Sequence, residues 1–144
     1  MKTTFVNPTK IQRAWHVIDA KGKVLGKIAT EAAALLRGKY NTSYNPHHDT
    51  GDFVIVINSE HISLSGNKWD DKMYYHHTGF VGGIKGISAK EMHAKKPTAI
   101  VETAVQGMLP KGPLGRQMLK KLFVYKEAEH PHSAQKPAAR ALPV

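Results

Sequence analysis

Apolar residues along the chain follow two kinds of spacing, and these predict strands alternating with helices. WHVID at positions 15–19 is predicted to form a short strand, and from Val24 the apolar positions follow a helical period. Gly38 is placed where that helix would end, since glycine readily adopts the left-handed backbone found there. FVIVI at 53–57 is apolar throughout and rich in β-branched residues, which is typical of a strand buried on both faces.

The middle of the chain contains one aromatic segment, one glycine-rich segment and one capping signature. MYYHH at 73–77 is predicted to be another strand, and TGFVGGIKG at 78–86 is interpreted as a flexible turn. Ser88 with Glu91 three residues later forms a capping box, in which each residue satisfies a free backbone N–H of a helix start. This signature predicts a helix that runs to about Lys96.

Prolines and glycines delimit the elements that follow. Pro97 is expected to end the preceding helix, with Thr98 as the N-cap of the next helix and Gly107 as its end. Pro113 suits the first turn of a third helix, because its missing N–H is not needed there. FVY at 123–125 is predicted to be the last strand.

Strands alternating with helices indicate an α/β fold, with helices on both faces of a small, mainly parallel sheet. Right-handed crossovers are the default connection. We expect a basic N-terminal arm at residues 1–13, a single α/β domain at 14–127 and an extended, proline- and alanine-rich tail at 128–144.

The excess of positive over negative residues favours a polyanionic partner. Lys and Arg number 21 against 11 Asp and Glu, a formal net charge of +10, and there is no cysteine. Such an excess repels itself unless a polyanion neutralises it, and nucleic acid is the usual polyanion, although a membrane surface or simple solubility are alternatives. The longest clean apolar run is the five-residue FVIVI, too short to span a bilayer. We therefore expect a cytoplasmic protein without disulfides or a membrane segment.

The stretch GMLPKGPLGRQMLKKLFVY, residues 107–125, combines glycines with cations, a combination that often binds phosphate. Gly107 and Gly112 have the glycine spacing of a Walker A loop. That loop continues with Lys and then Ser or Thr, whereas this chain continues with Pro113 and Leu114. Pro113 also lacks the N–H that such a loop would direct at phosphate. The segment therefore does not predict a nucleoside triphosphate site.

The third helix separates apolar from basic positions. The positions predicted to face inward are Leu114, Met118, Leu119 and Leu122. Arg116, Lys120 and Lys121 lie on the remaining surface, and no acid occurs between Glu102 and Glu127. Like charges at this spacing repel by roughly 0.2–0.5 kcal/mol per pair, so we favour a phosphate backbone over a bare solvated face.

Nine histidines raise the possibility of a metal. The HHDTGD segment at 47–52 contains ligand types for Mg²⁺ or Zn²⁺, which leaves a metal-dependent hydrolase open as an alternative. However, His76 and His77 would point to opposite faces of a strand, and no H-E-x-x-H or G-x-S-x-G motif occurs. We expect no catalytic residue, metal or cofactor, and we interpret the histidines as polar contacts to RNA.

Four stretches resemble one known family. They are WHVIDAKGKVLGKIATEAAALLRGK, NPHHDTGDFVIVINSE, GNKWDDKMYYHHTGFVGGIK and GMLPKGPLGRQMLKKLFVY, and they occupy most of residues 14–125 in order. In these stretches the chain resembles the bacterial ribosomal protein L13 family of the large subunit.

That resemblance implies a three-layer α/β/α domain with a small, mainly parallel, four-stranded sheet and without enzymatic activity. It also implies that residues 14–127 form a single RNA-binding domain. It implies binding to large-subunit ribosomal RNA early in assembly, beside neighbouring ribosomal proteins and without a small-molecule substrate. The RNA-facing residues that it implies are Lys39, His47, His76, His77, Lys85, Lys111, Arg116, Lys120 and Lys121. The alternative is a nucleotide- or metal-dependent enzyme on a doubly wound sheet, since fold alone does not establish function.

Overall fold

The computed structural model describes residues 5–142. The strands are β1 (Trp15–Asp19), β2 (Phe53–Ile57), β3 (Met73–His77), β4 (Ile84–Ser88), β5 (Leu122–Val124) and β6 (Ala138–Ala139). The helices are α1 (Leu25–Arg37), α2 (Lys68–Asp71), α3 (Ala89–Lys95), α4 (Pro97–Met108) and α5 (Pro113–Leu119). Within this described part, no helix combines the length and apolar character needed to cross a membrane.

A four-stranded sheet in the order β5-β2-β1-β6 lies at the centre, and all of its strand pairs are parallel. The central strand β2 pairs with β1 from Trp15 opposite Phe53 onward. Val54, Ile55 and Val56 of β2 have no solvent exposure. Burial of consecutive residues means that both faces of β2 are covered, as the unbroken apolar run FVIVI predicts.

One face of the sheet carries the main hydrophobic core. Ile18 of β1 and Val54 of β2 belong to the same buried cluster as the apolar faces of α1 and α4. The helical members of this cluster include Ile28, Leu35 and Leu36 of α1 and Ile100, Val101 and Val105 of α4. Helix α1 ends as predicted, because Gly38 has a left-handed backbone with φ of 76° and donates from its N–H to the carbonyls of the last turn.

The other face carries aromatic side chains from three strands. Trp15 stacks on Phe53 with ring centroids 4.4 Å apart, and Phe123 lies 5.7 Å from Trp15. His132 from the C-terminal segment lies over these rings, 5.0 Å from Trp15, and its Nε2 is 2.8 Å from the Tyr125 hydroxyl. The predicted α/β class with a parallel four-stranded sheet is confirmed. Helices α1 and α4 cover one face of the sheet, and the aromatic side chains with His132 lie on the other.

The fourth strand of the sheet is β6 from the C-terminal segment, and it is not MYYHH. Ala138 and Ala139 pair with His16 and Val17 at the edge of β1. MYYHH is the strand β3, as predicted, but it forms a separate two-stranded antiparallel sheet with β4. We define β3, β4 and the loop between them, residues 73–88, as the hairpin.

Strand β4 is not predicted from the sequence, because most of it lies in the glycine-rich segment 78–86 that is interpreted as a flexible turn. Gly86 lies in the middle of β4 opposite Tyr75, and a Cβ at Gly86 would meet the Tyr75 ring at 2.9 Å. Glycine at this position therefore lets the ring lie across the neighbouring strand. Because β4 is mostly exposed, it shows none of the apolar alternation that marks a strand over a core.

Three helix boundaries differ from the predictions: both ends of α4 and the end of α5. Helix α5 ends at Leu119, so Leu122, predicted as an inward-facing residue of this helix, instead begins β5. The Ser88 cap of α3 is confirmed, with the Ser88 hydroxyl accepting from the Glu91 N–H at 3.3 Å. However, α4 begins at Pro97 itself, so Thr98 is not its N-cap, and it continues through Gly107 to Met108. Proline at the first helical position costs no hydrogen bond, and glycine near a helix end is tolerated.

The C-terminal segment is attached to the domain by a buried carboxylate. Arg140 donates from its backbone N–H to the Val17 carbonyl at 2.8 Å and from Nε to Glu31 Oε1 at 2.8 Å. The Glu31 side chain is only 5% exposed, and the Tyr40 hydroxyl donates to its other oxygen at 2.9 Å. Glu31 holds the pKa of Arg140 above its ordinary value through this hydrogen bond.

Replacing Arg140 with alanine is expected to detach β6 from the sheet edge. The substitution removes the charged hydrogen bond that Arg140 donates to the buried Glu31 carboxylate. The expected loss of unfolding free energy is about 1.5 kcal/mol, at the low end for such a bond because Arg140 itself is partly exposed. Hydrogen exchange at the Arg140 N–H, which donates to Val17, measures this effect. Unchanged protection in the Arg140→Ala variant would contradict the proposed attachment, and Lys136→Ala in the same segment is the control.

Candidate nucleic-acid interface

The glycine-rich stretch forms a tight corner between α4 and α5. Leu109 is buried where α4 ends, and its N–H donates to the Val105 carbonyl at 3.1 Å. A short loop then reverses the chain before Pro113 starts α5. Gly115 is buried against this loop, and a Cβ at that position would collide with the Pro110 carbonyl. The corner is therefore fixed by close backbone packing, as the sequence of glycines and prolines suggests.

Two glycines beside this corner should respond oppositely to alanine. Gly115→Ala is expected to cost about 1–3 kcal/mol of unfolding free energy, because the added methyl overpacks against Pro110. Gly107→Ala meets no atom within 4 Å and lies in α4, so it is expected to stabilise by about 0.5–1 kcal/mol. Urea unfolding followed by circular dichroism measures both values. Equal stability of the two variants would contradict this description of the corner.

A cleft of about 340 Å³ opens between the end of α4 and the start of α5. Its lining residues are Gln106, Leu109, Pro110, Lys111, Gly112, Gly115, Arg116 and Leu119. Two of the predicted RNA-facing residues, Lys111 and Arg116, therefore come together at one site. Gln106, Leu109 and Leu119 were not predicted as site residues, and the only available signal was their position beside the glycine-rich loop.

The exposed cations of this region have no acidic partners. Lys111, Arg116 and Lys120 are all exposed, and none forms an ion pair with an acidic side chain of residues 5–142. Two exposed lysines outside this region do form ion pairs: Lys96 with Glu102 at 2.9 Å, and Lys126 with Glu60 at 3.5 Å. We define Lys111, Arg116 and Lys120 as the basic corner, a surface where an external anion can neutralise the charge.

Lys121 requires a correction, because its ammonium group is buried. Its Nζ lies 2.6 Å from Asp49 Oδ1 and also donates to the carbonyls of Gly51 at 2.7 Å and Leu36 at 3.3 Å. The prediction that no acid neutralises Lys121 is wrong, since Asp49 lies far away in sequence but adjacent in space. With its three N–H groups directed at protein oxygens, Lys121 has no donor left for a phosphate.

The surroundings of Lys121 act on its protonation in opposite directions. Burial lowers the pKa of Lys121 from its ordinary value, while the hydrogen bond to the Asp49 carboxylate raises it. The net direction is downward, as expected for an ammonium removed from water. Lys121 therefore joins the start of β5 to the loop before β2 instead of contacting solvent.

The hairpin brings a second pair of predicted residues together. His76 and Lys85 are opposite each other on β3 and β4, and both are exposed. His77 is exposed as well, and its Nδ1 accepts from the Gly79 N–H at 2.9 Å. Phe80 and Val81 at the tip are 78% and 106% exposed. Sequence reasoning missed these two, and the available signal was an apolar pair between Gly79 and Gly82.

Two predicted residues, Lys39 and His47, lie outside both the region around α5 and the hairpin. Lys39 follows the end of α1, where its N–H donates to the Ala34 carbonyl at 3.0 Å and its side chain is exposed. His47 is exposed in the loop before β2, with its ring 4.3 Å from the ring of His48. Both positions are accessible to a large partner.

The carboxylates of the HHDTGD segment are engaged in protein contacts. Asp49 pairs with Lys121 and with Arg13 at 3.7 Å. Asp52 accepts from the Ala14 N–H at 3.1 Å and contacts His16 Nε2 at 3.1 Å. Among residues 5–142, no group of three His, Asp or Glu side chains is arranged to hold a metal ion. The segment joins the N-terminal part of the domain to the sheet.

The fold and the site define a parallel α/β domain with a surface suited to a polyanion, because its rigid corner carries cations without acidic partners among residues 5–142. The sequence profile of the family described as Ribosomal protein L13 matches residues 13–131. Relatives named Large ribosomal subunit protein uL13 in Pseudomonas paraeruginosa strain PA7 and Pseudomonas aeruginosa strain LESB58 are each 56% identical over 137 residues, covering 95% of this chain and 96% of theirs. The chain therefore belongs to the ribosomal protein L13 family, a family of structural proteins and not of enzymes.

Proposed function

We propose that the chain is a constituent of the large subunit of cytoplasmic ribosomes, where it binds large-subunit ribosomal RNA and acts early in assembly. The observation that carries this proposal is the basic corner, whose three exposed cations have no acidic partner among the described residues. A phosphate backbone supplies the missing negative charge, and it does so at a surface made rigid by Gly115 and Pro110. Membership of the L13 family supports the same conclusion.

The proposed RNA-facing set follows from the exposed residues of the matched stretches. It contains Lys39, His47, His76, His77, Lys85, Lys111, Arg116 and Lys120. Lys121 is left out of this set because it is buried, and it supports the interface only by holding the start of β5 in place. The exposed hairpin tip, Phe80 and Val81, is the proposed contact to neighbouring ribosomal proteins.

Reconstitution of large subunits tests this proposal. The chain is mixed with protein-free large-subunit RNA, with and without the other large-subunit proteins, and each mixture is sedimented through a sucrose gradient at low salt, because the proposed contacts to phosphate weaken as salt rises. The proposal predicts that the chain sediments with RNA in both mixtures, since an early-assembling protein needs no previously bound partner. Sedimentation with RNA only when the other proteins are present would contradict early binding, and its absence from both would contradict the function.

A further inference from the structure

We propose that the cleft between α4 and α5 receives one unstacked nucleotide of the bound RNA. This inference rests on the proposed function and adds to it a specific subsite. Base-specific recognition of RNA usually involves nucleotides that have left the stack, because the edges of paired bases in an A-form helix are hard to reach. The cleft differs from the rest of the basic corner in offering a concave, half-open volume as well as positive charge.

The walls of the cleft have the chemistry of a base pocket. Pro110 and Leu119 provide apolar surface for the face of a base, and the side-chain amide of Gln106 provides both a donor and an acceptor for its edge. The volume of about 340 Å³ lies at the lower end of the roughly 300–1,000 Å³ found for ligand sites. That size suits one nucleotide and excludes a duplex.

The charged residues of the cleft suit the phosphate of that nucleotide. Lys111 and Arg116 are exposed, and the lining contains no acidic residue. The guanidinium of Arg116 can bind two phosphate oxygens at once, while Lys111 acts as a point charge. Cationic side chains beside an apolar wall suit a nucleotide, which joins an anionic phosphate to an apolar base, better than a wholly apolar ligand.

A free mononucleotide has the same chemistry as a nucleotide within RNA, and the structure favours the RNA. Pro113 at the start of α5 has no N–H to donate, and the loop lacks the Lys-Ser/Thr pair that holds a triphosphate and its magnesium. Without these groups a single phosphate is held only by two exposed side chains. The remaining binding free energy must therefore come from the rest of a long RNA, held by the other exposed cations.

A substitution at Gly112 fills the cleft without changing its charge. Gly112 lines the cleft with an extended backbone, φ 175° and ψ −172°, and a Cβ there meets no atom within 4 Å. Gly112→Leu is expected to weaken binding to large-subunit RNA by roughly 5–150-fold, the effect of losing one stacked base. The slope of affinity against salt should not change, because Lys111 and Arg116 are retained.

Gly107→Leu is the matched control, because Gly107 also has open space around it but does not line the cleft. Gln106→Ala is a second test variant that removes a cleft group without filling the cleft. An exposed helical residue can be shortened without unfolding α4. Gln106→Ala should weaken RNA binding, whereas Gly107→Leu should not. Wild-type affinity in both Gly112→Leu and Gln106→Ala would overturn the subsite while leaving the proposed function intact. Loss of salt-dependent RNA binding in the wild-type chain would overturn the proposed function itself.

Two further measurements identify the occupant. A benzophenone amino acid at position 106 should crosslink to a single loop or bulge nucleotide, mapped by reverse-transcription stops, whereas the same group at position 107 should not. Adenosine, guanosine, cytidine and uridine monophosphates, titrated separately and followed by NMR at the backbone amides of Lys111, Gly112 and Arg116, should bind with millimolar or weaker affinity. Micromolar binding of a mononucleotide that RNA does not displace would overturn the inference in favour of a free-nucleotide site.

Discussion

Replacing Lys121 with alanine is expected to lower the free energy of unfolding by about 3 kcal/mol, whereas Lys120→Ala should change it by less than about 0.5 kcal/mol. The two lysines are adjacent in sequence, but the Lys121 side chain is 6% exposed and its Asp49 partner 13% exposed. Removing Lys121 leaves a largely buried carboxylate and two backbone carbonyls without their donor. Arg13 also contacts Asp49, which keeps the expected loss at the lower end of the range for a broken buried pair.

Urea unfolding followed by circular dichroism measures both lysine variants under the same conditions. Lys121→Met is a useful third variant, because it restores the apolar volume of the stem but not the charge, and it should be destabilised as well. If Lys120→Ala and Lys121→Ala were equally stable, the buried pair with Asp49 would not exist in solution. RNA binding should show the opposite order once folding is accounted for, with Lys120→Ala the weaker binder.

The second large effect concerns the cations of the cleft. Lys111→Gln combined with Arg116→Gln should reduce the dependence of log affinity on log salt by about 2 and weaken binding to large-subunit RNA roughly 60-fold at about 0.1 M salt. The physical reason is that each phosphate neutralised by a side chain releases a condensed counterion. Both cations are exposed and free of acidic partners within residues 5–142, so their charge is available to RNA.

The matched control removes the same amount of charge at paired lysines. Lys96→Gln combined with Lys126→Gln also removes two positive charges, but these side chains are already neutralised by Glu102 and Glu60. Filter binding across a salt series should show a wild-type slope for this control. A similar loss in both double variants would mean that net charge, and not the basic corner, determines RNA binding.

Local sequence signals predicted the central part of the fold. FVIVI is buried on both faces because its apolar run has no polar interruption, and Gly38 ends α1 because the left-handed backbone there favours glycine. MYYHH indicated β3, but β4 and β6 gave no such signal. Strands β3 and β4 are mostly exposed, and β6 is a two-residue edge strand in a segment without periodicity.

The sequence predicted most of the charged residues of the candidate site but not their arrangement in space. Lys111, Arg116 and Lys120 are exposed and have no acidic partner within residues 5–142, as the absence of nearby acids in sequence suggested. Lys121 looked equivalent to Lys120, because the sequence does not show that the Asp49 loop folds onto the start of β5. The cleft could not be predicted either, since it depends on how close Gly115 allows α5 to approach Pro110.

The salt dependence of binding between the wild-type chain and purified large-subunit RNA tests the central claim most directly. If the exposed cations contact six to ten phosphates, affinity should fall by roughly 10³–10⁵-fold between about 50 and 200 mM salt, linearly in log-log form. Binding that is equally tight at both salt concentrations, or no binding at the lower one, would contradict an interface built on unpaired surface cations.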